Sequence, residues 1–272
     1  MVSAFFKRVA RHFANEVAVV TPNGKLLSHD PAEGLARWKK LPPAERKRLD
    51  DLGPYDAKLD PAPPPGGLVL KVYSRALARG PGGELAPYKT RVARSLEPGH
   101  DHLWLTADEW KSLLPGEPRR GERRAVPSAL ADRLCRRCLI DLVRVGGNGG
   151  PRRADEVLGR RLWLTTEEVT PARLRLRLEG HARLATHDAG CGARPKAPKV
   201  DTFALLGYLD YDRAKKAVTR FDIVALSETG HYDEVNKKVL PLGVALERTR
   251  ASSPADRVPP SSFGKDYFGK GR

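Results

Sequence analysis

With 272 residues, of which 40% are hydrophobic, the chain is long enough to form one large domain or two small ones. The formal net charge is +16, but both signs are mixed along the chain, so we do not expect a one-sided platform for nucleic acid. No apolar run is long enough to cross a bilayer and the first residues lack the apolar core of a signal peptide, so we expect a cytoplasmic protein without a membrane partner, or an exported one if a segment precedes Met1.

The N-terminal segment predicts a helix, a hairpin and a second helix. Apolar residues recur at helical spacing over 4–13, and strands at 16–20 and 25–27 flank the turn Pro22-Asn23-Gly24. Asn-Gly favours a tight hairpin because both residues accept positive φ at low cost. Asp30 can then cap a helix that has Pro31 at its first position and carries Leu35 and Trp38.

This order of elements, over residues 4–40, resembles the closing half of a thioredoxin-like domain. In that family a helix leads into two antiparallel strands and a last helix. The redox CxxC and the cis-proline loop of the family precede this half. The resemblance therefore implies a thioredoxin-like fragment to which no catalytic residue carries over.

Composition divides the chain into four parts. Residues 1–59 form the thioredoxin-like fragment, and the Pro- and Gly-rich stretch 60–67 is a stiff linker. Residues 68–250 form a β-rich domain. Residues 251–272 are rich in Ser, Pro and Gly, which predicts a flexible tail.

The β-rich domain begins with strands and helices in alternation. Runs at 68–73, 102–105 and 161–165 predict strands. Thr106, with Glu109 three residues later, predicts a capping box at the start of a helix. A second, amphipathic helix is predicted to open at Pro127 and to carry apolar residues as far as Leu142.

Residues 172–248 predict a four-stranded antiparallel meander. Leu174, Leu176 and Leu178 alternate with Arg and Glu, which is the period of a strand with one face in a core and one in water. The other three strands are predicted over 203–211, 218–226 and 239–248. We therefore predict an α+β fold built on an antiparallel sheet or a partly open barrel with packed helices. The hairpin Leu-Leu-Gly-Tyr-Leu-Asp-Tyr-Asp and its return strand are similar to β-rich domains of uncharacterised bacterial proteins, a resemblance that spans 100–248 and implies no activity.

The three cysteines leave several interpretations open. Cys135 and Cys138 form a CxxC within the apolar stripe of the predicted helix, which favours buried structural thiols. Redox CxxC pairs instead lie at a helix start. With His187 and Cys191 the pair could also complete a zinc site of three thiolates and one imidazole.

The meander brings the loops 186–200 and 228–238 to the same end of the sheet. Loops at one end of a β scaffold are common places for binding groups. The candidate binding residues are His187, Asp188, Glu228, His231 and Asp233. No catalytic residue set stands out in the sequence.

These observations predict a bacterial protein whose β domain binds a ligand or partner without catalysis and without a cofactor. The identity of the partner does not follow from the sequence. Two alternatives stay open at this point: a remnant of a thioredoxin-like oxidoreductase, and a metal-dependent enzyme that uses the two loops.

Overall fold

The computed structural model describes residues 19–21, 26–50, 61–89, 98–143, 151–186, 199–233, 236–250, 256, 258–264 and 267–268. The chain divides into two compact units, residues 1–62 and 63–272. No helix within the described ranges is long and apolar enough to span a membrane.

The first unit holds two short antiparallel strands followed by two helices: β1 (Val19–Val20), β2 (Leu26–Ser28), α1 (Pro31–Lys40) and α2 (Pro43–Asp50). Asp30 caps α1 as predicted, since its carboxylate accepts a 2.7 Å hydrogen bond from the Glu33 backbone N–H. The predicted helix over 4–13 and the turn Pro22-Asn23-Gly24 lie outside the described residues. The helix–hairpin–helix arrangement therefore stays a prediction.

Helix α1 is tied directly to the hairpin. The Arg37 guanidinium donates to the Leu27 carbonyl at 2.8 Å. A Cβ on Gly34 would lie only 2.4 Å from the Val19 Cβ, so this close approach requires glycine. Leu35 was expected to add apolar content here, but its side chain is 53% exposed. The helix meets β1 at Gly34, and the next residue points about 100° away around the helix axis.

The second unit is organised by a single antiparallel sheet. Its described strands are β3 (Leu68–Arg79), β4 (Leu85–Pro87), β5 (Gly99–Leu105), β6 (Arg123–Ala125), β7 (Val157–Val169), β8 (Arg173–Thr186), β9 (Lys199–Asp212), β10 (Ala217–Asp233) and β11 (Lys238–Arg248). Their order is β4-β3-β11-β10-β9-β8-β7-β6, and β5 also pairs with β3. The described strands form an open sheet with few helices, so a sheet-dominated antiparallel fold is confirmed.

The predicted meander corresponds to β8, β9, β10 and β11. Consecutive members pair in register, for example Leu176 with Leu209 and Ile223 with Leu246. The sheet extends beyond the predicted meander at both edges, because β7 pairs with β8 and β3 pairs with β11. Residues that are distant in sequence thus extend the same sheet.

One face of this sheet forms the inner wall of the core. Leu174, Leu176 and Leu178 are all buried there, as the alternation predicted. Arg175 and Arg177 between them were expected to be exposed, but their side chains are only 30% and 36% exposed, because they lie in ion pairs across the outer face. Arg175 Nε lies 2.8 Å from Asp210 Oδ1, and Arg173 bonds the same carboxylate at 3.2 Å. Burial alone would raise the pKa of Asp210, but the hydrogen bonds from both guanidinium groups lower it below its usual range.

Two helices contribute to the core beside the sheet: α3 (Ala107–Lys111) and α4 (Ser128–Arg137). The capping box of Thr106 and Glu109 is present as predicted. Helix α4 was expected to continue towards Leu142, but it ends at Arg137. The Leu139 carbonyl accepts a hydrogen bond from the Arg152 guanidinium at 3.2 Å, and the chain from Leu139 to Val143 continues in non-helical form.

The C-terminal segment was predicted to be a flexible tail, but its described part packs onto the domain. Tyr267 is buried, and its hydroxyl accepts the Trp104 backbone N–H at 2.9 Å. The Ser261 backbone N–H and hydroxyl each donate to the buried Asp101 carboxylate at 2.7 Å. The Ser- and Pro-rich composition did not predict this packing. The Phe263 ring also packs against the Tyr267 ring.

We expect Leu176→Ala to lower the free energy of unfolding by about 2–5 kcal/mol, because it leaves a cavity in a fully buried row of the sheet. Urea denaturation would measure the change. Leu158→Ala is the matched control, because Leu158 is 48% exposed on β7. This substitution should lower the free energy of unfolding by about 0.5 kcal/mol or less. Equal losses for the two variants would contradict the assignment of the inner face.

Candidate functional site

The strand ends that flank the two predicted loops lie at the same end of the sheet. Thr186 at the end of β8 pairs with Lys199 at the start of β9. At the same end, β10 turns into β11 after Asp233. Among the candidate residues, Glu228, His231 and Asp233 belong to this region, whereas His187, Asp188 and Cys191 lie outside the described residues.

Two of the three described candidates are buried in hydrogen-bonded pairs. His231 Nδ1 lies 2.7 Å from the Asp141 carboxylate, and both side chains are almost inaccessible to solvent. Asp233 accepts hydrogen bonds from the Tyr88 hydroxyl at 2.8 Å and from the Asn236 side-chain amide at 2.7 Å. Its carboxylate raises the pKa of Tyr88 through that hydrogen bond.

The third candidate, Glu228, faces away from these pairs. It lies in a bulge of β10 between Ser227 and His231 and forms an exposed bidentate ion pair with Arg79. Hydrogen bonding by that guanidinium lowers the pKa of the Glu228 carboxyl. The bulge is packed tightly, since a Cβ on Gly230 would lie 2.6 Å from the Leu242 Cβ.

The described part of this end is therefore an internally paired polar network. Thr229 donates to the buried Asp201 at 3.1 Å, and the buried Arg152 guanidinium donates to the Ala185 carbonyl at 2.6 Å. Burial lowers the pKa of Arg152. Paired groups of this kind fix the ends of strands, and a buried polar network is stable only when its members are satisfied. A ligand-binding role for the loop residues stays a prediction.

Cys135 and Cys138 are both free and buried, as the apolar stripe of the helix predicted. Cys135 lies in the last turn of α4 and Cys138 caps its C-terminus, so neither occupies the helix start that activates redox thiols. Burial raises the pKa of Cys135 to about 12 and raises that of Cys138 as well. No cluster of three or more metal-ligating side chains occurs among the described residues.

A further feature, which the sequence did not predict, lies on the outer face of the sheet. It is a groove of about 670 Å³ that crosses β9, β10 and β11 and is bordered by β3; we call it the outer groove. Its fourteen lining residues are Tyr73, Arg75, Leu77, Leu85, Pro98, Ala204, Leu205, Leu206, Val224, Ala225, Leu226, Gly243, Val244 and Ala245. A volume of this size lies within the usual range of small-molecule sites.

The floor of the outer groove consists of two adjacent rows across the sheet. In the first row Gly243 pairs with Leu226, which pairs with Ala204. In the second row the members are Ala245, Val224 and Leu206. The groove is deeper along the first row, because Gly243 and Ala204 are small residues. Val224 is 56% exposed and Leu206 42%, so this face presents apolar surface to water where a sheet usually presents polar groups.

Among the described lining residues two have polar side chains, and both are on β3. Tyr73 pairs with Ala245 and Arg75 pairs with Gly243, so each extends one of the two floor rows. Within the described part of the chain, the Arg75 guanidinium has no carboxylate partner and the Tyr73 hydroxyl has no hydrogen bond. The part of the lining that the structure describes contains no carboxylate.

A second cavity of similar size, about 680 Å³, lies beside the end of β7. It is lined by Arg120, Gly121, the stretch 165–170 and Arg175, and most of these residues have polar side chains. Three of the charged side chains already have partners: Glu167 is near Arg177, Glu168 is near Arg173, and Arg175 is paired with Asp210. The outer groove is the stronger candidate for a binding site, because an apolar floor bordered by a few polar side chains can provide both burial and orientation.

The comparisons with known proteins add no assignment. No family model matches this chain, and neither the curated proteins nor the solved structures contain a significant match.

We expect both cysteines to be unreactive towards Ellman's reagent in the folded protein. In a Cys191→Ser background at about pH 8, a pKa of about 12 leaves only about one Cys135 thiol in ten thousand ionised. Reaction should become stoichiometric only in denaturant. Rapid reaction of the native protein, or stoichiometric zinc in the wild type that is lost on Cys138→Ser, would contradict the assignment of structural thiols.

Proposed function

We propose that the β domain is a non-catalytic binding module that holds a ligand with an apolar body in the outer groove. The observation that carries this proposal is the exposure of Val224 and Leu206 on a groove floor lined by apolar residues from three strands. Contiguous apolar surface within a groove is a common feature of ligand-binding sites. Burial of the ligand against the floor would supply the free energy of association.

Binding without catalysis agrees with what surrounds the outer groove. Catalysis needs a nucleophile, an acid–base pair or a metal beside the bound ligand. Among the described lining residues none is a histidine, cysteine, serine or carboxylate. The paired His231 and Asp141 lie at the loop end and are not among the lining residues.

For the first unit we propose the closing half of a thioredoxin-like domain. The antiparallel pairing of β1 with β2 and the immediate passage into a capped α1 support this proposal. The segment contributes structure and no redox chemistry, since the described hairpin and helices contain no cysteine. A metal-dependent activity of the loops 186–200 and 228–238 remains a prediction that the described residues do not support.

The neutral fluorophore N-phenyl-1-naphthylamine should bind the protein saturably, with a rise in fluorescence on transfer to an apolar site. Val224→Lys places a charge on the floor and should weaken binding at least about tenfold. Leu158→Lys is the matched control, because Leu158 is similarly exposed on β7 but does not line the outer groove.

Absence of saturable binding would overturn the proposal. So would wild-type affinity in Val224→Lys, because the probe would then bind elsewhere. Thermal unfolding of both variants checks that the lysine has not destabilised the sheet.

A further inference from the structure

Resting on the proposed function, we propose that the ligand of the outer groove is a single-chain anionic amphiphile, whose carboxylate Arg75 binds and whose hydrocarbon chain covers the floor. The lining has two chemical parts: twelve residues without polar side chains, and the pair Tyr73 and Arg75 at the β3 side. A long-chain carboxylate has two corresponding parts, a hydrocarbon chain for the apolar floor and a charged head group for Arg75 and Tyr73.

Most other cations of the outer face are paired with a carboxylate, and in this respect they differ from Arg75. Arg173 and Arg175 share Asp210, and Arg220 is hydrogen-bonded to Asp222. Arg79, four residues beyond Arg75 on β3, is paired with Glu228. Within the described residues Arg75 has no such partner, although its guanidinium fork is suited to bidentate binding of a carboxylate.

The Tyr73 hydroxyl can add a second hydrogen bond to the same head group. Tyr73 and Arg75 alternate with the buried Ser74 on β3, so both lie on the outer face. Their separation along the strand is about 6.6 Å at Cα, which long side chains can bridge. The His100 ring packs edge-on against the Tyr73 ring at 5.0 Å and restricts the position of the phenol.

The direction of the chain follows from the pairing. From Arg75, the row runs through Gly243 and Leu226 to Ala204, a path of three strand spacings or about 14 Å. Each residue on this path lacks a charge, so a hydrocarbon chain anchored at Arg75 meets only apolar surface. His181 on β8 closes the row on the far side.

The same charges argue against a second copy of this chain as the occupant. A two-fold pairing of outer faces would place the two Arg75 side chains opposite one another or over apolar floor, with no carboxylate in the described lining to receive them. A fatty-acid carboxylate instead supplies the partner that Arg75 lacks among the described residues.

Isothermal titration of the full chain with decanoate and with 1-decanol, below their aggregation concentrations, tests the proposal. Decanoate should bind more tightly than decanol. Arg75→Gln should weaken decanoate about three- to tenfold and leave decanol unchanged, since it removes an ion pair and no apolar surface. Arg161→Gln is the matched control, because Arg161 is an exposed cation of the outer face that does not line the outer groove.

The chain-length series octanoate, decanoate and dodecanoate should gain about two- to fourfold in affinity per methylene until the floor is covered. Equal affinity for decanoate and decanol, or no effect of Arg75→Gln, would overturn the anionic head group while leaving the binding module intact. Failure of both ligands and of the neutral fluorophore would overturn the proposed function itself. Binding to phosphatidylglycerol vesicles without binding of monomeric decanoate would assign the outer groove to a membrane surface and refute the proposal.

Discussion

Burial of the inner face of the sheet is the constraint on which the rest of the β domain depends. Long strands can be held in register only if one face is removed from water, and here leucines from β8 and β9 share a core with α4. Arg133 completes the enclosure at the edge. It is buried, donates to Glu109 at 2.9 Å and to the Trp104 carbonyl at 3.2 Å, and stacks on the Tyr267 ring. One side chain thereby joins α4, α3, β5 and the C-terminal segment.

Given a fixed inner face, the outer face is free to differ from one region to another. Over β8 it is ionic, with Arg175 and Asp210 as its centre. Over the floor of the outer groove it is apolar, and Arg75 at the border has no carboxylate partner among the described residues. Val224 and Leu206 are cross-strand partners there, so their exposed side chains form one continuous apolar surface. The contrast between the two regions is the physical basis of the proposed binding module.

The sequence predicted the sheet where the alternation was strict and missed the outer groove where it was not. Residues 173–179 alternate Leu with charged residues, so the inner face followed directly. In 203–206 and 223–226 apolar residues occupy both odd and even positions, so both faces of these strands are apolar. We interpreted these stretches only as strands. That loss of alternation was the available signal for a two-sided apolar strand.

Long-range partners could not be predicted from local patterns. His231 and Asp141 are 90 residues apart, and only the fold brings them to 2.7 Å. The anchoring of Tyr267 against Trp104 is likewise set by tertiary packing and not by composition. The described candidates Glu228, His231 and Asp233 lie near one end of the sheet, but the partners of their side chains followed only from the structure.

The central claim is that the β domain binds ligand on the outer face of the sheet and not at its loop end. Amide chemical-shift mapping during titration with N-phenyl-1-naphthylamine tests this most directly. The account predicts that the largest changes occur at Leu206, Val224 and Gly243, while His231 and Asp233 remain unchanged. Changes centred on His231 and Asp233, with none on the floor of the outer groove, would contradict it.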